Sequence, residues 1–218
     1  MFERMKLVRS AVRLVRNPEG LDEVFALVDS IAAISDLGTV IDEIRRSSTA
    51  ADRAFRDRVR IAPITLEELA AMPPGSLGAA FADYCASGKL DPAIFFGRPA
   101  STDIEYMSAH LYETHDIWHV VTGIGTDVDS ELGLQAFYLA QFTSHLALTL
   151  LTLGLFRTLL LERHTYRGRL DAISSGWVLG KKTRPLFGIE WSLQWQRPLS
   201  EIRVELGLDA APEKQRAA

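Results

Sequence analysis

From Leu132 to Phe156 the chain reads LGLQAFYLAQFTSHLALTLLTLGLF, 25 residues without one Asp, Glu, Lys or Arg. A run of this length can span a bilayer. Its first half, however, carries Gln135, Gln141, Thr143, Ser144 and His145, and each polar group costs free energy in lipid unless it finds a partner. The favoured reading is a helix that is apolar all round, central in a bundle or lining an apolar cavity. The expected fold is therefore all-α, a single-domain helical bundle with a long apolar central helix.

The flanking sequence agrees with that class. No run of alternating β-branched residues is bounded by hairpin turns, whereas helical periodicity is widespread. Helices are predicted near 2–16, 20–34, 37–48, 65–71, 76–87, 103–121, 129–150, 152–180 (broken) and 198–206. Asn17-Pro18-Glu19-Gly20 and Pro73-Pro74-Gly75 are breakers, and Ser76 is a candidate N-cap. The expected organisation is a basic N-terminal helix over 1–16, a helical metal-binding domain over 17–206 and a flexible tail over 207–218.

Composition narrows the function classes. Hydrophobic residues make up 47% of the 218, enough for a sizeable core. A net charge of −4 argues against nucleic acid, whose binders carry a basic footprint. Cys85 is the only cysteine, which excludes an intrachain disulfide and zinc sites built on several thiolates, and suits a reducing compartment. The N-terminal stretch lacks the apolar core of a secretory leader. It sets Arg9, Arg13 and Arg16 on one helical face and Val8, Val12 and Val15 on another, a pattern that fits a solvated helix or one lying on an anionic membrane.

Upstream of the apolar run lies the sequence that carries chemistry, His115-Asp116-Ile117-Trp118-His119. On a helix, His119 sits about 40° around and about 6 Å along from His115, so two imidazoles can converge on one ion, as in other i, i+4 histidine motifs. Asp116 flanks the same face, as a ligand or as a base acting on metal-bound water. Tyr112 and Ser108 share this face; His110 falls on the opposite side. The Gly123-Ile124-Gly125 turn lets the chain reverse, giving Glu131 a route back towards His119. Two imidazoles with one or two carboxylates suit zinc, iron(II) or manganese.

The string from His115 to Gly123, with Glu131 following His119 after eleven intervening residues, resembles the H-D-x-x-H-x(11)-E signature of the coenzyme Q biosynthesis protein four family. Leu77 to Ala82, Gly123 to Asp127, Glu131 to Phe137, and Gly180 to Gly188 with Trp191 and Arg197-Pro198-Leu199 resemble further family segments. The resemblance implies an all-helical fold. It implies His115, Asp116, His119 and Glu131 as metal ligands, usually for zinc, and contact with a polyprenylated aromatic intermediate at a membrane. It further implies removal of the ring carboxyl group with hydroxylation of the same carbon, and a scaffolding role towards other ubiquinone enzymes. Asp116 is the candidate catalytic residue. A cytoplasmic protein peripheral to the bacterial inner membrane is expected, or one on the matrix side of the mitochondrial inner membrane in a eukaryote. The oligomeric state stays open.

A polyprenyl tail needs an apolar trench. On a continuous helix Gln135, Tyr138, Phe142, His145 and Thr149 follow one face. Tyr112, Gln135, Tyr138 and Phe142 are the candidate substrate contacts, set against ordinary core packing. Arg157, Arg163, Arg167, Arg169, Lys181, Lys182 and Arg184 form a basic cluster that reads as a solvated face or as a contact for lipid phosphate. Three readings compete: a metal-dependent decarboxylase/hydroxylase, an isoprenoid-binding scaffold with a structural metal, and a zincin-type hydrolase. The last is disfavoured, because Asp116 stands where a Glu is needed to reach metal-bound water.

Overall fold

The computed structural model describes residues 36–88, 90–91 and 97–208. The helices expected at 2–16 and 20–34 and the tail beyond Leu208 lie outside these residues; of the expected flexible tail, Gly207 caps the last helix and Leu208 is buried. Among the described residues there are no strands, only one isolated bridge between Ser76 and Pro198. The helices are α1 (Leu37–Ser47), α2 (Thr49–Asp57), α3 (Leu66–Ala70), α4 (Leu77–Gly88), α5 (Asp103–Thr122), α6 (Val128–Gln141), α7 (His145–Leu161), α8 (Tyr166–Lys182) and α9 (Leu199–Leu206). Short 3-10 turns cover Arg163–Thr165 and Trp191–Leu193. The chain divides into two compact units, Met1–Glu43 with Thr126–Lys181, and Ile44–Gly125 with Lys182–Ala218.

The apolar run is not one helix, which corrects the expected long central helix. α6 ends at Gln141, Phe142 is extended (φ −162°, ψ 165°), and Ser144 caps α7 by accepting from the Ala147 N–H at 3.1 Å. The Thr143 N–H donates to the Glu43 carboxylate at 3.2 Å. The Ser144 side chain thus does what such a residue does best, which is to cap a helix rather than continue one. No helix among the described residues is long and apolar enough to cross a membrane. Nor is the run wholly buried: Leu148, Leu155, Phe156, Leu159, Leu160 and Leu161 on α7 are 40–59% exposed.

Within this unit α6 and α8 touch backbone to backbone. A Cβ on Gly133 would stand 2.9 Å from the Ala172 carbonyl oxygen, and one on Gly180 would stand 2.8 Å from the Phe137 oxygen. One on Gly176 would lie inside the Gly133 carbonyl group. Gln141 Nε2 donates to the Gly180 carbonyl at 2.9 Å. Leu132, Ala136 and Leu151 form the adjoining core, with Leu139 and Ile173 packed against it. The expected basic cluster is partly dismantled here. Arg169 is buried, donating to Asp129 Oδ1 at 2.8 Å, to Thr158 Oγ1 at 2.5 Å and to Glu162, which also pairs with Arg157 at 2.7 Å. Arg163, Arg167, Lys181 and Lys182 remain exposed.

The other unit is organised around α5. Thr102 and Glu105 form a capping box at its start, which closes two orphan backbone donors. Gly123 (φ 75°) closes its end by donating to the His119 carbonyl at 2.9 Å, a left-handed conformation that glycine adopts without strain. Arg203 on α9 donates to the Val120 and Val121 carbonyls at 2.9 Å each. Tyr106, His110, Glu113, Ile117 and Val121 line the buried face of α5, at the spacings of three and four expected of one helix face. Ser76 accepts from the Ala79 N–H at 3.2 Å, as its N-cap reading requires. α2 was not predicted; Ser48, which accepts from the Ala51 N–H at 3.0 Å, was its signal.

His110 sits on this buried face, away from the histidine pair, as its phase predicts. Its Nε2 accepts from the Gly188 N–H at 3.2 Å, and its Nδ1 lies 3.3 Å from the Val59 carbonyl. A carbonyl only accepts, so Nδ1 carries the proton. Burial pushes the His110 pKa down to about 4, with the Arg60 charge assisting and the Val59 hydrogen bond opposing. The folded state therefore resists a proton that the unfolded chain takes up near pH 6.5. Stability is complete above that value and is lost as the pH falls towards 4, by about 3 kcal/mol in all. His110→Gln should flatten this slope. Urea midpoints from pH 7 to 4 measure it, and equal slopes in both proteins would refute the assignment.

Candidate metal centre

The helix turn that ends α5 also builds the site. His115, Asp116 and His119 each offer one ligand atom, and these atoms lie within 4.8 Å of one another. The two imidazole rings meet edge to face, 4.9 Å apart between centroids (89°). His119 is buried; His115 and Asp116 are half-buried. His119 Nδ1 lies 3.0 Å from the Ile124 carbonyl and must be its donor, which leaves the lone pair on Nε2. That arrangement is how proteins fix the tautomer of a metal-binding histidine. The donor set of two neutral imidazoles and a carboxylate fits zinc, iron(II) or manganese.

Sequence reasoning missed Tyr84. Its hydroxyl donates to Asp116 Oδ1 at 2.7 Å, and its ring lies near-parallel (20°) to that of His119 with centroids 6.0 Å apart. Tyr84 lies on α4, 32 residues before Asp116, and no local spacing could have linked them. Cys85, the next residue, is fully buried; burial first, then the charges of Asp116 and Asp91, push its thiol up to about 12. It stays protonated at neutral pH and is no nucleophile. The folded protein should resist a thiol-specific disulfide reagent at pH 8 that labels the urea-unfolded chain at once. Equal labelling rates would contradict the burial.

The remaining predicted site residues are distributed as follows. Tyr112 is half-buried on α5, with the Arg98 guanidinium 3.6 Å from its ring centroid. Glu131 is half-buried in the first turn of α6. Gln135 is half-buried on the same helix; Tyr138 and Phe142 are buried, their rings meeting edge-on at 6.0 Å. The expected stripe from Gln135 to Thr149 is interrupted, because the helix breaks at Phe142–Ser144.

Fold and site together define an all-helical protein carrying a compact histidine–aspartate cluster on one helix. The profile of the family described as coenzyme Q (ubiquinone) biosynthesis protein Coq4 matches residues 1–212, and the chain belongs to that family. A mitochondrial ubiquinone biosynthesis protein coq4 of Aspergillus fumigatus is 29% identical over 219 residues, covering 97% of this chain and 75% of its own. Its counterpart in Botryotinia fuckeliana is 29% identical over 208 residues, with coverages of 93% and 72%. A crystal structure from Nostoc punctiforme, of a protein whose name assigns it to ubiquinone biosynthesis, superposes with a TM-score of 0.84. It is 28% identical, covering 95% of this chain and 99% of that one.

Proposed function

We propose that the chain binds a divalent metal at His115, Asp116 and His119 and acts on a polyprenylated aromatic intermediate of ubiquinone biosynthesis. The reaction would replace the ring carboxyl group, which leaves as carbon dioxide, by a hydroxyl on the same carbon, with dioxygen as oxidant and oxygen source and an external two-electron donor reducing its second atom to water. The observation that carries the metal reading is the convergence of the three groups within 4.8 Å, with His119 held in its ligating tautomer by the Ile124 carbonyl. Bound there, zinc or iron(II) would supply Lewis acidity towards the oxygen substituents of the ring. The chain's own residues hold the site. Ile124 fixes His119, Tyr84 engages Asp116, and Tyr112 lies half-buried one turn before Asp116 on the same helix, its ring covered by the Arg98 guanidinium.

The alternative is a lipid-binding scaffold with a structural metal. It draws support from the exposed leucines of α7 and from a cleft of about 310 Å³ lined by Leu155, Thr158, Leu159, Arg163, Tyr166 and Leu170. Apolar walls beside an exposed arginine suit a lipid that has a polar end, and a peripheral position at a membrane follows from the same surface.

One set of measurements separates the two. Metal content is determined on protein purified without added metal, and turnover of a prenylated 4-hydroxybenzoate is followed by mass spectrometry. His119→Ala should lose metal by more than the about 10–100-fold that outer partners are worth, and should lose turnover with it. Glu131→Ala tests the fourth ligand implied by the family signature, and unchanged metal affinity would remove Glu131 from the set. Metal loss with full turnover would rule out a catalytic metal; retained capture of other ubiquinone biosynthesis proteins would then favour the scaffold.

A further inference from the structure

We propose that Tyr84 is a positioning residue of the metal centre. It holds Oδ1 of Asp116 so that the carboxylate presents only its other oxygen to the ion. This rests on the metal reading above. A carboxylate ligates through one oxygen or through both, and the choice sets coordination number and therefore which positions stay open for water or substrate. The Tyr84 hydroxyl donates to Oδ1 at 2.7 Å, which occupies one of that oxygen's two lone pairs and makes it the weaker of the two oxygens as a donor to an ion.

Tyr84 is itself held. Its ring stacks on Phe81 (centroids 6.1 Å, 8°), and Phe81 stacks on Trp195 (5.4 Å, 24°). The start of α4 is tied to the Trp195–Arg197 segment, with the Leu77 N–H donating to the Arg197 carbonyl at 2.9 Å and the Gly78 N–H to the Trp195 carbonyl at 2.8 Å. The contact at Gly78 is close: a Cβ there would stand 3.0 Å from the same Trp195 oxygen. Carbonyl, aromatic stack and hydroxyl thus form a chain of fixed contacts ending on Asp116. His119 is held from two sides, by the Ile124 carbonyl on its edge and the Tyr84 ring beside its face.

The test uses the full chain and Tyr84→Phe, which keeps the ring stack and deletes only the hydroxyl. Zinc affinity is read by competition with a chromogenic chelator, and coordination by the visible spectrum of the cobalt(II)-loaded protein. Zinc binding should weaken about 10–100-fold, the range for an outer partner. The cobalt bands should lose intensity, as expected when Asp116 closes down with both oxygens, while the metal-free melting temperature stays within a few degrees. In an Asp116→Asn background the same substitution should have little further effect on affinity. Wild-type affinity with an unchanged cobalt spectrum in Tyr84→Phe would overturn the proposal and leave the metal site standing. Equal weakening in both backgrounds would also overturn it, as general softening of α4. Failure of the wild-type chain to bind zinc or cobalt would overturn both this proposal and the metal reading beneath it.

Discussion

Replacing Arg60 with alanine should cost about 3–5 kcal/mol, the range for removing one member of a buried ion pair. Glu113 carries only 1% of its side-chain surface exposed and sits two residues before His115 on α5. Arg60 Nε lies 2.8 Å from both carboxylate oxygens, and Nη2 also donates to Oε1. The same guanidinium reaches the Arg98 carbonyl at 3.2 and 3.3 Å. Without Arg60 a negative charge is left in the packed face of α5, and water can reach it only by loosening that helix. Arg60→Lys keeps the charge but loses the planar fork, and should fall between the two.

The control is Glu113→Gln. An amide needs no cation, so the double variant Arg60→Ala/Glu113→Gln should recover much of the loss, giving a coupling of the size expected for contacting residues. Urea unfolding at pH 7 with comparable m-values measures all four proteins. A loss below about 1 kcal/mol for Arg60→Ala would class the pair with surface salt bridges. Because α5 carries the whole histidine–aspartate cluster, zinc affinity should weaken alongside stability in Arg60→Ala and return in the double variant.

Local signals carried most of the fold. Capping residues, Gly123 and the apolar phase placed α1, α3, α4, α5 and α9 within a residue or two of their observed ends, because such ends are set by neighbours in sequence. The error at Phe142–Ser144 has a physical cause. Hydropathy saw no charge and joined two helices, while the Ser144 cap and the Glu43 contact to Thr143 are polar features that a charge count ignores. The loss of Arg169 from the basic cluster has a similar origin: its partners Asp129 and Glu162 sit on other turns of the chain, and sequence distance hides the pairing. At the site, His115, Asp116 and His119 were legible because a helix brings them together by itself. Tyr84 was not, because only tertiary packing sets it against Asp116.

The α6–α8 seam depends on glycine at position 176, and Gly176→Val should unfold the unit or cost more than about 4 kcal/mol, a magnitude reserved for a few identifiable causes. A Cβ at this position would stand 2.7 Å from the Gly133 carbonyl carbon and closer still to its oxygen. Neither atom can yield, since both belong to the backbone of α6. The space cannot be recovered by sliding, because Gly133 faces the Ala172 oxygen at 2.9 Å and Gly180 the Phe137 oxygen at 2.8 Å, measured from an added Cβ. Relief requires the two helices to move apart, which opens all three contacts and the core packed beside them. Gly176→Ala should cost about 2–3 kcal/mol, the upper range for overpacking, partly offset by alanine's better helix propensity. Thermal melts of both variants read the grading. A Gly176→Val protein that melts within a degree of wild type would show that the two helices do not meet at this seam.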